Sequence, residues 1–143
     1  MELLCALVLL GMVALLVVPT TRAAAAHLQL VREADELCRV LRLAQARAMA
    51  TEQANQVRFY PDSNRYRTYQ PHVVDHQLAA GVRIDYVSFP RDSRGWIMCQ
   101  FSPLGVPAAG GTVALSNQRG ERIYVITTPV VGRVRVSPRP PAA

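Results

Sequence analysis

Sixteen consecutive residues, Leu3 to Val18, carry only apolar side chains or glycine. The run is just short of the roughly 20 residues that take an upright helix across a bilayer, and too greasy to form part of the core of a small domain. One charge, Glu2, stands immediately before it. A carboxylate near a helix N-terminus is favoured by the macrodipole and disfavoured by lipid, at about 2.5–3.5 kcal/mol in mid-membrane and less toward the edge. Glu2 is therefore either an acid at the water interface or an acid with a partner in the membrane. A secretory signal peptide is the rival reading, because Ala23 to Ala26 offers small residues for cleavage. Against it, residues 1–21 contain no arginine to form a basic leading region.

After Pro19 the pattern becomes amphipathic. Leu30, Val31, Ala34, Leu37, Cys38, Leu41, Ala44 and Ala48 recur at three- and four-residue steps, which predicts a helix burying one stripe. Its other faces carry charges, with Arg32 to Glu36 and Asp35 to Arg39 spaced for i,i+4 pairs. Joined to the apolar run, the helix is expected to reach about Thr51 and to be roughly 75 Å long at 1.5 Å per residue.

From Gln56 the period changes to two. Gln56 to Tyr60 and Tyr66 to Tyr69 flank Pro61-Asp62-Ser63-Asn64 and read as a hairpin. Val82 to Phe89, Trp96 to Phe101, Thr112 to Ser116, Arg122 to Thr127 and Arg133 to Val136 are five more strand candidates. The expected class is α+β: a long N-terminal helix, half in the membrane and half amphipathic, packed on a small antiparallel β head of one layer or two sheets. The expected organisation is a membrane helix over 1–21, a helical stem over 22–52, a β-rich head over 53–137 and a Pro/Arg tail over 138–143.

The formal charge is +6, and all sixteen basic residues are arginine. From Ser93 to Ala143 there are six of them against Glu121 alone, so the C-terminal third is the basic part. Alternation puts Arg133 and Arg135 on one side of the last strand, and Arg139 follows in the tail. These three are candidate DNA-phosphate contacts; with no aromatic alternating among them, they give little support for stacking on single-stranded bases. Cys5, Cys38 and Cys99 form no C-x-x-C, and Cys38 and Cys99 read as two buried free thiols. His72-Val73-Val74-Asp75-His76 has metal-ligand character, but no further ligand is identifiable, and polar residues in a loop between strands explain it as well. No phosphate-cradling glycine loop, nucleophile elbow or carboxylate pair is found, so the reading is of a non-enzyme without cofactor or metal.

The register Glu2, eight residues, Gly11, seven residues, Pro19, set in an apolar helix, resembles the N-terminal helix of type IV pilins and type II secretion pseudopilins. The head is similar to the GspH/FimT branch of minor pseudopilins and minor pilins. The likeness there lies in Gln100-Phe101-Ser102-Pro103-Leu104-Gly105, Gly110-Gly111 before Thr112-Val113-Ala114-Leu115, and Gly132-Arg133-Val134-Arg135-Val136. The resemblance implies a subunit held in the inner membrane by one helix, with its head outside the cytoplasm, that enters a secretion, pilus or competence filament. Its implied partners are other pilin or pseudopilin subunits, a prepilin peptidase, an inner-membrane assembly platform and, through the C-terminal Gly-Arg-x-Arg, DNA. It gives Glu2 the free α-amine of a neighbouring subunit as partner, Gly11 close helix approach or local flexing, and Pro19 a kinked or loosened helix at the membrane exit. It also implies that Met1 stands at the variable position before the glutamate, and that the gene extends upstream into a basic leader ending Gly-Phe-Thr-Leu or similar.

Overall fold

The computed structural model describes residues 2–142, the side chains of residues 18 and 19 excepted. Met1 and the side chain of Pro19, both given places in the register above, lie outside the described residues. One helix, α1, spans Glu2–Thr51. Eight strands follow: β1 Asn55–Tyr60, β2 Arg65–Thr68, β3 Val74–Gln77, β4 Val82–Val87, β5 Ile97–Phe101, β6 Gly111–Asn117, β7 Arg122–Thr127 and β8 Val134–Ser137. They form two antiparallel four-stranded sheets, ordered β3-β2-β1-β5 and β4-β6-β7-β8.

The stripe read from the sequence is the one that is buried. Leu30, Ala34, Leu37, Leu41 and Ala48 have no exposed surface, and they share one core with Val57, Phe59, Phe101, Val113, Leu115, Val125 and Val134 from the two sheets. Within that core Phe59 and Phe89 stack, with centroids 5.6 Å apart and planes 8° apart. Polar contacts fix how the helix lies on the head. Arg42 Nη2 donates to the Val134 carbonyl at 2.8 Å, Asn55 Nδ2 to the Ala44 carbonyl at 3.2 Å, and His27 lies 3.5 Å from Glu121. The sheets are tied through Asn64, which takes the left-handed conformation (φ 47°) at the β1–β2 turn. Its Oδ1 accepts from the Ile84 N–H at 3.1 Å.

Of the two arrangements left open for the head, one layer or two sheets, it has the second. Two expectations need correction. The predicted i,i+4 pairs are not among the described ion pairs; Glu36 is taken instead by Arg39, one turn on at i,i+3, with Nη2–Oε1 at 2.7 Å. And β3, read as a polar loop, is a strand: Val74, Asp75 and Gln77 are exposed, so it shows no hydrophobic alternation. It pairs through Asp75 to Arg67 and through His76, whose ring stacks on Tyr66 at 4.8 Å. The other strands lie within one or two residues of their expected ends. Cys38 and Cys99 are buried free thiols, and burial pushes the Cys99 thiol up to about 12.

Candidate functional site

Three groups of residues were singled out by the sequence, and the fold puts them at separate places. The first lies on the apolar half of α1. From Leu3 to Val17 every side chain is exposed, Leu3 at 81% and Leu15 at 77%, so this half is not buried against the described residues of its own chain. Water is a poor solvent for such a surface: each exposed leucine or valine side chain forgoes about 1.5–3 kcal/mol of transfer energy. Lipid or neighbouring helices satisfy it equally. Glu2 stands at the start of this helix and is exposed. Gly11 is about two and a half turns on, and a Cβ added there would meet nothing within 4 Å, so the glycine is not needed for folding of this chain. The helix continues through position 19, where proline brings no N–H; Thr20 Oγ1 donates to the Val17 carbonyl at 2.7 Å.

The second group is at β8. Val134 is buried and its neighbours Arg133 and Arg135 are exposed, as alternation requires. Register sets Arg135 opposite Ile126 on the outer face of the second sheet. Arg139 follows in a turn closed by Ser137, whose Oγ donates to the Arg139 carbonyl at 2.8 Å. None of the three arginines is in an ion pair among the described residues. The glycine before them has a steric reason: at Gly132 (φ +66°) a Cβ would come within 2.5 Å of Gln45 Nε2 and 2.8 Å of the Gly105 carbonyl oxygen. That carbonyl already accepts from Gln45 Nε2 at 2.7 Å. So the two glycine motifs, Pro103-Leu104-Gly105 and Gly132-Arg133, meet on the stem helix, and their meeting sets where β8 and its arginines begin.

The third cluster, with metal-ligand character in the sequence, is otherwise engaged. Asp75 accepts from Arg67, and Arg67 holds its carboxyl below the usual range. His76 stacks on Tyr66, while His72 is exposed in the preceding loop. Sequence reasoning did not pick out a further set on the outer face of the first sheet: Arg58, Arg65 and Arg67 among Tyr60, Tyr69 and Trp96. The signal was present as Arg58-x-Tyr60 and Arg65-x-Arg67, both at period two within the predicted hairpin.

No sequence-family model matches the chain, and no curated protein matches it by sequence. Solved structures do match its fold. The type IV minor pilin FimU of Pseudomonas aeruginosa superposes with a TM-score of 0.59 at 14% identity, covering 78% of this chain and 90% of FimU. The minor pseudopilin EpsH from the type 2 secretion system of Vibrio cholerae gives 0.59 at 14%, covering 76% of this chain and 96% of EpsH. A second crystal form of FimU gives 0.55 at 13% identity. A long helix packed on two antiparallel four-stranded sheets is thus a fold that this chain shares with a minor pilin and a minor pseudopilin.

Proposed function

We propose that this chain is a non-enzymatic minor pseudopilin or minor pilin of the GspH/FimT kind. It is anchored in the inner membrane by α1 with its head outside the cytoplasm, and is drawn from there into a secretion, pilus or competence filament. The observation that carries this reading is the bare apolar half of α1, continuous with a stem that is buried on a pilin-like head. In the membrane lipid covers that half; in a filament the same surface packs on other subunits' helices, by van der Waals contact rather than hydrophobic gain. Glu2 sets register by pairing with a neighbour's α-amine, Gly11 lets helices approach, and Pro19 leaves α1 with one helix donor fewer at the membrane exit. Prepilin peptidase and an inner-membrane assembly platform are its further partners. Glu2→Leu is expected to stay in the membrane fraction yet to disappear from sheared filaments, measured by immunoblot of both fractions. Equal incorporation of parent and variant would make Glu2 an interfacial bystander.

A second reading is favoured by the unpaired state of Arg133, Arg135 and Arg139: contact with DNA during uptake. Phosphate contacts release counterions, so duplex affinity of the full chain in neutral detergent should fall with salt at a log–log slope of about −0.9 per contact, roughly −2 to −3 for three. Replacing Arg133 and Arg135 with glutamine should lower both affinity and slope, without sequence preference. Replacing Arg32 and Arg39 on the stem should change neither. Identical titrations for parent and double variant would remove DNA from the account.

A further inference from the structure

The outer face of the first sheet holds an arrangement that its own chain does not balance. In β1, Val57 and Phe59 are buried while Arg58 and Tyr60 alternate with them on the other face. Register sets Arg58 directly opposite Arg67, which is opposite Asp75, and in the next row Tyr60 opposite Arg65. Like charges facing each other across a strand pair destabilise a sheet. Asp75 offsets this on one side only. Its carboxylate accepts from Arg67 Nε at 2.6 Å and Nη2 at 2.8 Å, side-on and bidentate, and lies 3.4 Å from Arg65 Nη1. No carboxylate pairs with Arg58 among the described residues. Its one hydrogen bond is long, Nη1 to the Tyr60 hydroxyl at 3.4 Å, and its Nε is buried with no acceptor.

Aromatic rings hold that guanidinium in place. It lies 3.6 Å from the Trp96 centroid and 5.1 Å from that of Tyr69, and Arg94 comes to 5.3 Å of the same Trp96 ring. A planar cation fixed by rings, facing a second cation and lacking a counter-charge, has already lost the rotamer freedom that binding would cost it.

We propose that this face is the docking site of an acidic protein segment, one of whose Asp or Glu carboxylates sits against Arg58 beside Arg67 and Arg94, with its apolar neighbours packing around Trp96 and Tyr60. Charge complementarity selects an acidic partner, and two observations select protein over nucleic acid. A carboxylate already fits the neighbouring fork, as Asp75 does on Arg67. The rings are stacked with guanidinium groups, Arg65 and Arg67 on Tyr60 and Arg58 and Arg94 on Trp96, so recognition falls to guanidinium nitrogens rather than to ring faces awaiting a base. Arginine, tryptophan and tyrosine are also the residues that carry most binding energy in protein interfaces. The inference holds whether or not the chain enters a filament.

Trp96 is the only tryptophan in the chain, so its emission reports on this face. Full-length protein in neutral detergent is titrated with a dye-labelled oligo-glutamate peptide, following peptide anisotropy and Trp96 emission, and in parallel with labelled oligothymidylate. Saturable binding of oligo-glutamate with a change in Trp96 emission is expected. Arg58→Gln should weaken it about tenfold or more, the loss expected for a charge-assisted hydrogen bond. Arg58→Lys, which keeps the charge without the planar fork, should fall between, and Arg32→Gln on the stem should bind like the parent. Circular dichroism checks each fold; should Arg58→Gln unfold, Arg94→Gln replaces it, with a smaller loss expected. Unchanged affinity in the Arg58 variants, no saturable binding, or oligothymidylate binding as tightly and with the same dependence on Arg58 would each overturn the proposal.

Discussion

The two halves of α1 have the same backbone and opposite surroundings. Between Leu3 and Val17 every side chain is exposed, whereas from Leu30 to Ala48 a single stripe is buried and the rest carries charge. The first half is apolar all round, so any direction of contact suits it, and it can leave one apolar environment for another at little cost. The second half is committed by its periodicity to one partner, the head. Stability of the folded chain should therefore be insensitive to the first half and sensitive to the second, residue for residue.

Leucines test that division most directly. Leu41→Ala removes a side chain with no exposed surface and should lower head stability by about 2–5 kcal/mol. Leu9→Ala, in the first half, should leave the urea midpoint of the head unchanged in detergent, with Trp96 emission as the readout. A comparable loss from both would mean that the apolar half packs on the head after all. A smaller effect is expected where the stem clasps β8. Arg42 donates from Nε and Nη2 to the Val134 carbonyl, so Arg42→Gln should cost on the order of 1 kcal/mol and loosen β8, read as faster amide exchange there. Arg22→Gln, close to the membrane end, should leave both readouts unchanged.

How much of this was legible in the sequence follows from where the information lies. The stem stripe and β6 to β8 repeat apolar residues at the period of their element, and one-dimensional periodicity is enough to find them. The helix stop near Thr51 coincides with the change to period two. By contrast β3 is an edge strand held by Asp75 to Arg67 and His76 to Tyr66, contacts between residues eight or ten apart, with no alternation of its own. The Arg58 face was missed for a related reason. It needs the registers of three strands and the Trp96 loop to become one surface, and arginine at period two looks like any solvated strand face until its opposite number is known to be Arg67. At β8 the order Gly132, Arg133, Val134, Arg135 did predict exposure of both arginines, because a single buried valine fixes the alternation.

The smallest expected difference concerns the acids of the two halves. Glu36 in the stem accepts three hydrogen bonds from Arg39, at 2.7, 2.8 and 3.0 Å, and these bonds hold its carboxyl below the usual 4.5 against a weaker opposing effect of burial. A carboxyl whose folded value is depressed stabilises the fold above its unfolded value, and that contribution is lost as pH falls through the folded one. Glu36→Gln should therefore lower the urea midpoint slightly at pH 7, and the difference should shrink as the pH falls from the unfolded value of about 4.3 through the lower folded one. Both side chains are well exposed, Arg39 at 72%, so salt should shrink the difference as well. Glu2→Gln should leave the urea midpoint at pH 7 unchanged, because 28 residues of helix, about 42 Å, separate Glu2 from Leu30, the first fully buried residue of the stem. If the Glu2 variant lowered the midpoint as the Glu36 variant does, the apolar half would be coupled to the head, and the division of α1 into a bare half and a committed half would fail.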